Sequence, residues 1–308
     1  MKPLIEGVYL NAAGFRNYKL YVAAPRGGDA PPLFVMLHGC RQDAADFAAG
    51  TRMNELAEEC GGVVLYPEQC KMANMYGCWN WHEKQHQSAD GGEPSLIAGM
   101  TRQVIADYGI DAARVYVAGM SAGGAMAVIL GQAYPDLYAA VGVHSGLPSG
   151  VAVDLMSALR AMNHGPAPPD RRGARRRRKK GKPSIATIVF HGDRDTVVHP
   201  SNGDAVHAQA QRPADRAPVA AGAATRRSNG MRVQVGRRGR AFTRTSQLRD
   251  GVPQSELWVV HGAGHVWNGG SPDGTYTDAQ GPDASREMMR FFLQQRLDTG
   301  AVVRDKAA

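Results

Sequence analysis

The chain has 308 residues, 43% of them hydrophobic. That is enough for one large α/β domain, and no run reaches the ~20 apolar residues of a membrane-spanning helix, so a soluble protein is expected. A formal charge of +8 would suggest a nucleic-acid or membrane-surface binder, but residues 171–182 hold nine Lys and Arg with no acid, and without them the chain stands at −1; the basicity belongs to one segment and no nucleic-acid partner is expected.

In chain order, strand-like and helix-like segments alternate, which predicts a mostly parallel twisted sheet with helices on both faces. Leu33–Leu37 reads as a buried strand that runs into His38-Gly39-Cys40. Glu93 sits at the start of a helix through Ser95–Met100, where its carboxylate is expected to meet helix amides. Arg114–Ala118 is an apolar β-run, and the small-residue helix Gly124–Leu130 follows it.

Between those two lies Gly119-Met120-Ser121-Ala122-Gly123. A serine at a sharp strand-to-helix turn is pushed out with its Oγ exposed, and glycines two before and two after it remove Cβ atoms that would collide. The pattern predicts a nucleophile elbow, with Ser121 as nucleophile of a hydrolytic reaction. Such a serine needs a histidine to take its proton, a carboxylate to orient that histidine, and amide donors for the developing oxyanion. The amides of Ala122, next to the nucleophile, and of Cys40, on the loop after the earlier strand, are the candidate donors.

Val151–Arg160 reads as a lid-like helix, and the Pro- and Arg-rich stretch 164–183 as a solvated loop insertion. The lid-like region spans about 147–183. The next strand, Ser184–Phe190, ends in His191-Gly192-Asp193-Arg194-Asp195. Asp193 and Asp195 compete for the role of the acid. Asp195 is favoured, because a loop turning at Gly192 carries it back toward the elbow, and Asp193 remains open as the alternative. Residues 212–224 read as a loop, and the basic stretch 226–249 as an edge hairpin around Gly236–Gly239. Glu256–Val260 then leads into His261-Gly262-Ala263-Gly264-His265. His265, inside the loop between the two glycines Gly262 and Gly264 and the apolar pair Val266-Trp267, is the expected base, and His261 at the strand end reads as structural. His144, His199 and His207 receive the same structural reading. A last helix is expected over Ala284–Gln295, with a flexible tail at 299–308.

Taken together, Leu37-His38-Gly39-Cys40-Arg41-Gln42-Asp43, Leu65-Tyr66-Pro67-Glu68-Gln69, Cys78-Trp79-Asn80-Trp81, the elbow, His144-Ser145-Gly146 and Gly264-His265-Val266-Trp267-Asn268-Gly269-Gly270 resemble, block by block, the esterases of the polyhydroxybutyrate depolymerase family, relatives of feruloyl and acetylxylan esterases. The resemblance covers about 15–147 and 184–296 and implies an α/β-hydrolase fold in a single domain over 1–308. It carries the triad onto Ser121, Asp195 and His265. It also implies that the Trp79-Asn80-Trp81 block and Trp267 lie near the cleft, where their faces would pack on substrate, and that a Cys40–Cys78 bridge ties the oxyanion loop to that block. Cys60 and Cys70 stay unassigned. Such a bridge implies an oxidising compartment, and the family favours secretion or the periplasm, yet Met1–Gly7 has no apolar signal-like run and a cytoplasmic location stays open.

The implied substrates are 3-hydroxybutyrate oligomers or other short acyl esters, because the chain ends soon after its last helix with no room for a separate polymer-binding domain. Feruloyl or acetylxylan esters are the alternative. A rival of another class is a non-catalytic hydrolase-fold protein that contacts anionic surfaces through residues 171–182. Triad chemistry calls for no cofactor, and no Cys/His spacing suggests a metal.

Overall fold

A computed structural model describes residues 2–89, 91–167, 185–211, 225–233 and 239–298, with 225–233 described by backbone alone. The basic run 171–182, the segment 212–224, the hairpin turn at Gly236 and the tail 299–308 lie outside the described residues.

Ten strands form one sheet in the order β1 (Ile5–Asn11), β2 (Gly14–Val22), β4 (Val63–Pro67), β3 (Leu33–Leu37), β5 (Val115–Met120), β6 (Ala140–His144), β7 (Ala186–Gly192), β10 (Val252–Val260), β9 (Phe242–Arg249) and β8 (Thr225–Val233). The six from β4 to β10 run parallel, and antiparallel pairs close both ends: β1 on β2 and β2 on β4 at one, β9 on β10 and β8 on β9 at the other. The antiparallel strands β8 and β9 fall on the basic stretch expected to form an edge hairpin.

The central strands are apolar throughout because both faces are covered. Along β3, Leu33, Val35 and Leu37 point into one core while Phe34 and Met36 point into the other, as the two-residue period of a strand requires. The first core is roofed by α3 (Gly92–Tyr108), α4 (Ala122–Ala133), α5 (Leu155–His164) and α6 (Ser201–Ala210). The second is covered by α1 (Ala44–Thr51), α2 (Met53–Cys60) and α7 (Ala284–Phe292). α7 stops three residues short of the expected Gln295. This parallel sheet wrapped on both faces is the α/β-hydrolase architecture. Among the described residues no helix is long and apolar enough to cross a membrane.

The C-terminal ends of the parallel strands share one edge of the sheet, where open α/β folds place ligands. β3 delivers His38-Gly39-Cys40 there, β5 delivers Ser121, β7 delivers Asp195 and β10 delivers His265.

Candidate active site

Ser121 occupies the turn between β5 and α4 at φ 56° and ψ −119°, a left-handed backbone that costs a residue with a Cβ about 1–3 kcal/mol. Packing enforces it. A Cβ on Gly123 would stand 2.2 Å from the Leu37 carbonyl, and one on Gly119 would stand 2.4 Å from the Gly123 carbonyl carbon. Only glycines allow α4 to start so close to β3. The Ala122 amide is the first of α4 and has no intrahelical acceptor. The Gly39-Cys40 turn lies against the serine, since a Cβ on Gly39 would be 3.6 Å from the Ser121 Cβ.

That turn is held from three sides. The Gly39 amide donates to Gln42 Oε1 at 3.0 Å, and Gln42 Nε2 donates to Asp46 at 2.9 Å and to the Thr275 carbonyl at 3.1 Å. Buried His38 donates from Nδ1 to the Gly39 carbonyl at 2.8 Å and accepts the Gln69 amide at Nε2 at 3.1 Å, a pattern only the neutral ring can make. Its burial pushes the imidazole pKa down in agreement. Third, Cys40 and Cys78 form a disulfide across 38 residues, the pairing that the resemblance implied, while Cys60 and Cys70 are free.

The two aspartates left open by the sequence and the two histidines of the following loop sort into two separate pairs. Asp193 accepts His261 Nδ1 at 2.9 Å and the Gly262 amide at 2.7 Å. Asp195 accepts His265 Nδ1 at 2.8 Å on Oδ2, and the amides of Val197 and Val198 at 2.9 and 2.8 Å on Oδ1. Burial works against ionisation of Asp195, but the hydrogen bonds from His191 and His265, the positive potential of His265 and the Val198 amide outweigh it and hold the carboxyl far below the usual range. His191, to which the sequence reading gave no role, stands behind this carboxylate: its Nε2 is 2.9 Å from the Val198 carbonyl and 3.4 Å from Asp195 Oδ2. Only its position at the end of β7, four residues before the acid, could have hinted at it.

Ser121 and His265 line one cavity of 260 Å³, together with Cys40, Arg41 and Gln42 on one side and Met120, Met162, Val197 and Tyr276 as its largely apolar remainder. Met162 comes from α5, so the segment expected to be lid-like does reach the cavity wall.

The aromatic block is placed differently from its expectation. Trp79 is fully buried with Nε1 donating to the His38 carbonyl at 3.2 Å, Trp81 is buried in the same core, and Trp267 is buried with Nε1 on Ser285 at 3.0 Å. None of the three lines the cavity, and neither does Asn80. Indoles this large add more to the sheet by filling the space beneath the loops than by facing solvent. Asn80 is engaged by Glu93, which corrects the expectation for that carboxylate as well: Glu93 is buried and accepts from Asn80, Gln69 and Arg16 rather than from helix amides. His144, read as structural, is buried between Phe190 and Trp267, with Nε2 3.1 Å from both the Asn268 amide and the Asn268 Oδ1.

A serine on a strained elbow and an imidazole oriented by a buried carboxylate, both lining one small cavity, are the parts that acyl transfer to water requires. The comparisons with known proteins agree with this chemistry. Residues 16–236 match the family model described as Esterase PHB depolymerase. Poly(3-hydroxyalkanoate) depolymerase C of Paucimonas lemoignei is 34% identical over 193 residues, covering 60% of this chain and 46% of that protein. Feruloyl esterase B of Neurospora crassa is 34% identical over 133 residues, 42% of this chain and 44% of that one. The chain therefore spans about half the length of the curated relatives it matches. Among solved structures, an acetyl xylan esterase from Aspergillus awamori aligns over 91% of this chain and 94% of its own, with a TM-score of 0.63 at 18% identity, a likeness of fold. The elbow, the strand-end loops and a family match over most of the length lead to one conclusion: this chain belongs to the Esterase PHB depolymerase family.

Proposed function

We propose that the protein is a serine carboxylic ester hydrolase acting on 3-hydroxybutyrate oligomers and other short acyl esters. The observation that carries this reading is the 2.8 Å bond from His265 Nδ1 to buried Asp195, on an imidazole that lines the same cavity as Ser121. With Nδ1–H donated to the carboxylate, Nε2 is the free base. It takes the Ser121 Oγ proton as Oγ attacks the ester carbonyl, and Asp195 stabilises the imidazolium that forms. The amides of Cys40 and Ala122 receive the oxyanion of the tetrahedral intermediate, a contribution of about 100-fold to 1000-fold per donor. His265 then protonates the departing alcohol, and the acyl group left on Ser121 is hydrolysed by a water that the same imidazole deprotonates.

The cavity's volume and its methionine and valine walls suit a short aliphatic acyl chain. The buried tryptophans act from behind: Trp79 holds the end of β3 through the His38 carbonyl and so keeps the Cys40 amide in place. The names of relatives favour a second reading, cleavage of feruloyl or acetylxylan esters.

The test is steady-state hydrolysis of p-nitrophenyl butyrate, soluble 3-hydroxybutyrate oligomers, methyl ferulate and acetylated xylan by the wild type and by Ser121→Ala. Hydrolysis of the oligomers that falls at least about 10⁴-fold in the variant is expected. Activity indifferent to Ser121 would falsify the mechanism, and a preference for the ferulate or xylan ester would replace the substrate.

A further inference from the structure

Arg41 is the one permanently charged side chain in the wall of the candidate active-site cavity. It follows directly after Cys40, whose amide is the candidate oxyanion donor. Its backbone is left-handed at φ 64°, a conformation that glycine or asparagine takes far more readily than arginine. The turn is nevertheless firmly held: the Arg41 amide donates to the Tyr76 carbonyl at 2.8 Å, and the preceding residue is anchored by the disulfide to Cys78. The guanidinium lies 5.9 Å from the centre of the Tyr76 ring. That contact uses the charge and leaves the guanidinium N–H groups without a hydrogen-bond partner among the described residues.

Among the described residues Arg41 makes no ion pair, although carboxylates are near. Arg41 and Gln42 also line a second cavity of 560 Å³ that contains Asp43, Glu68 and a second cation, Lys71, with Phe15, Met75 and Tyr76 supplying apolar surface. Both acids are engaged elsewhere: Asp43 accepts the Asp46 amide at 2.8 Å, and Glu68 accepts the Ala44 amide at 3.2 Å. The two cavities thus meet at an exposed guanidinium that has no ion-pair partner among the described residues.

We propose that the Arg41 guanidinium anchors a carboxylate on the alcohol side of the ester, so that the preferred substrates are acidic oligoesters cleaved at the bond next to their free carboxyl end. This rests on the esterase reading above and deepens it. In a 3-hydroxybutyrate dimer the terminal carboxylate is only a few bonds from the scissile carbonyl, and a carboxylate meets a guanidinium through two parallel N–H···O bonds. Neutral feruloyl and acetylxylan esters have no such group. The second cavity, with its apolar wall beyond Arg41, gives the methyl branch of the released hydroxy acid a surface to rest on.

The experiment compares kcat/KM for the 3-hydroxybutyrate dimer and for its terminal carboxamide, which keeps the shape and removes the charge. The ratio is taken within each enzyme, so that a general loss of activity cancels. The wild type is expected to favour the acid by on the order of tenfold at low salt, with the preference shrinking at high ionic strength because the cation is exposed. Arg41→Gly, which also relieves the left-handed backbone and so is expected to fold, should bring the ratio near one, and Arg41→Lys should keep part of it. An unchanged ratio in Arg41→Gly, or a wild type that hydrolyses p-nitrophenyl butyrate yet shows no preference for the acid, overturns this inference and leaves the esterase reading standing. A wild type that cleaves no ester overturns both.

Discussion

Asp193 and Asp195 stand two residues apart on one loop, yet they serve different histidines, and this separation yields a sharp prediction. Asp195→Asn should lower kcat by about 10⁴-fold, as removal of the orienting carboxylate does in Ser-His-Asp enzymes. Asp193→Asn should leave kcat within a fewfold of wild type, because its partner His261 also meets Thr243 and lies outside the cavity. Steady-state kinetics on p-nitrophenyl butyrate checks both, and equal losses would contradict the assignment. The sequence pattern favours Asp195 through the turn at Gly192, but the features that support that choice are beyond it: the burial of one carboxylate, the two amides folded over it and His191 behind it. Ser121 was more legible, because the two glycines that flank it are demanded by a backbone collision that any elbow of this kind must avoid. Trp79 and Trp267 were legible only as large aromatics near the cleft. Whether an indole faces a cavity or fills the space under its floor depends on packing that no local pattern encodes.

At the scale of elements, the loop between β3 and α1 is the part that must be rigid, since it positions both the Cys40 amide and Arg41. The Cys40–Cys78 bridge closes a loop spanning 38 residues, for which loop-closure entropy gives about 4 kcal/mol of stabilisation. Cys78→Ser should therefore lower the urea midpoint by a stability equivalent of roughly 2–4 kcal/mol and reduce kcat more than KM, as expected when an oxyanion donor loses its position. Thiol titration of the denatured wild type should find two reactive groups, Cys60 and Cys70, whereas four would show that the bridge does not form. The strand-helix alternation of the central sheet could be read from apolar runs because parallel strands are buried on both faces. The antiparallel strand β1 could not, since Ile5, Val8 and Leu10 remain exposed on it and only Tyr9 packs against a core.

At the scale of the whole molecule, the net charge is a poor guide: its excess lies in residues 171–182, while the described body carries buried groups whose protonation matters more for stability. His38 and His144 are both buried and neutral, with pKa values lowered by burial, that of His144 to about 3. Unfolding releases each ring toward the ordinary value near 6.5, so between these limits the unfolded chain binds more protons than the folded one. The stabilisation that these neutral rings contribute is complete above about pH 6.5 and is lost as pH falls toward the folded-state values, at about 1.4 kcal/mol per pH unit for each ring. Asp193 and Asp195, whose pKa values are lowered in the fold, act in a different window, because their contribution is present above about pH 4 and fades only below it. Between pH 6 and 5 the slope is therefore set by the histidines. The urea midpoint should fall steadily across that interval, and calorimetry at pH 5.5 in buffers of different ionisation enthalpy should find protons taken up on unfolding, close to one of them by the His144 ring. A midpoint that stays flat from pH 7.5 to 5 would mean that these rings are not neutral in the fold, against the hydrogen bond that His38 Nε2 accepts from the Gln69 amide.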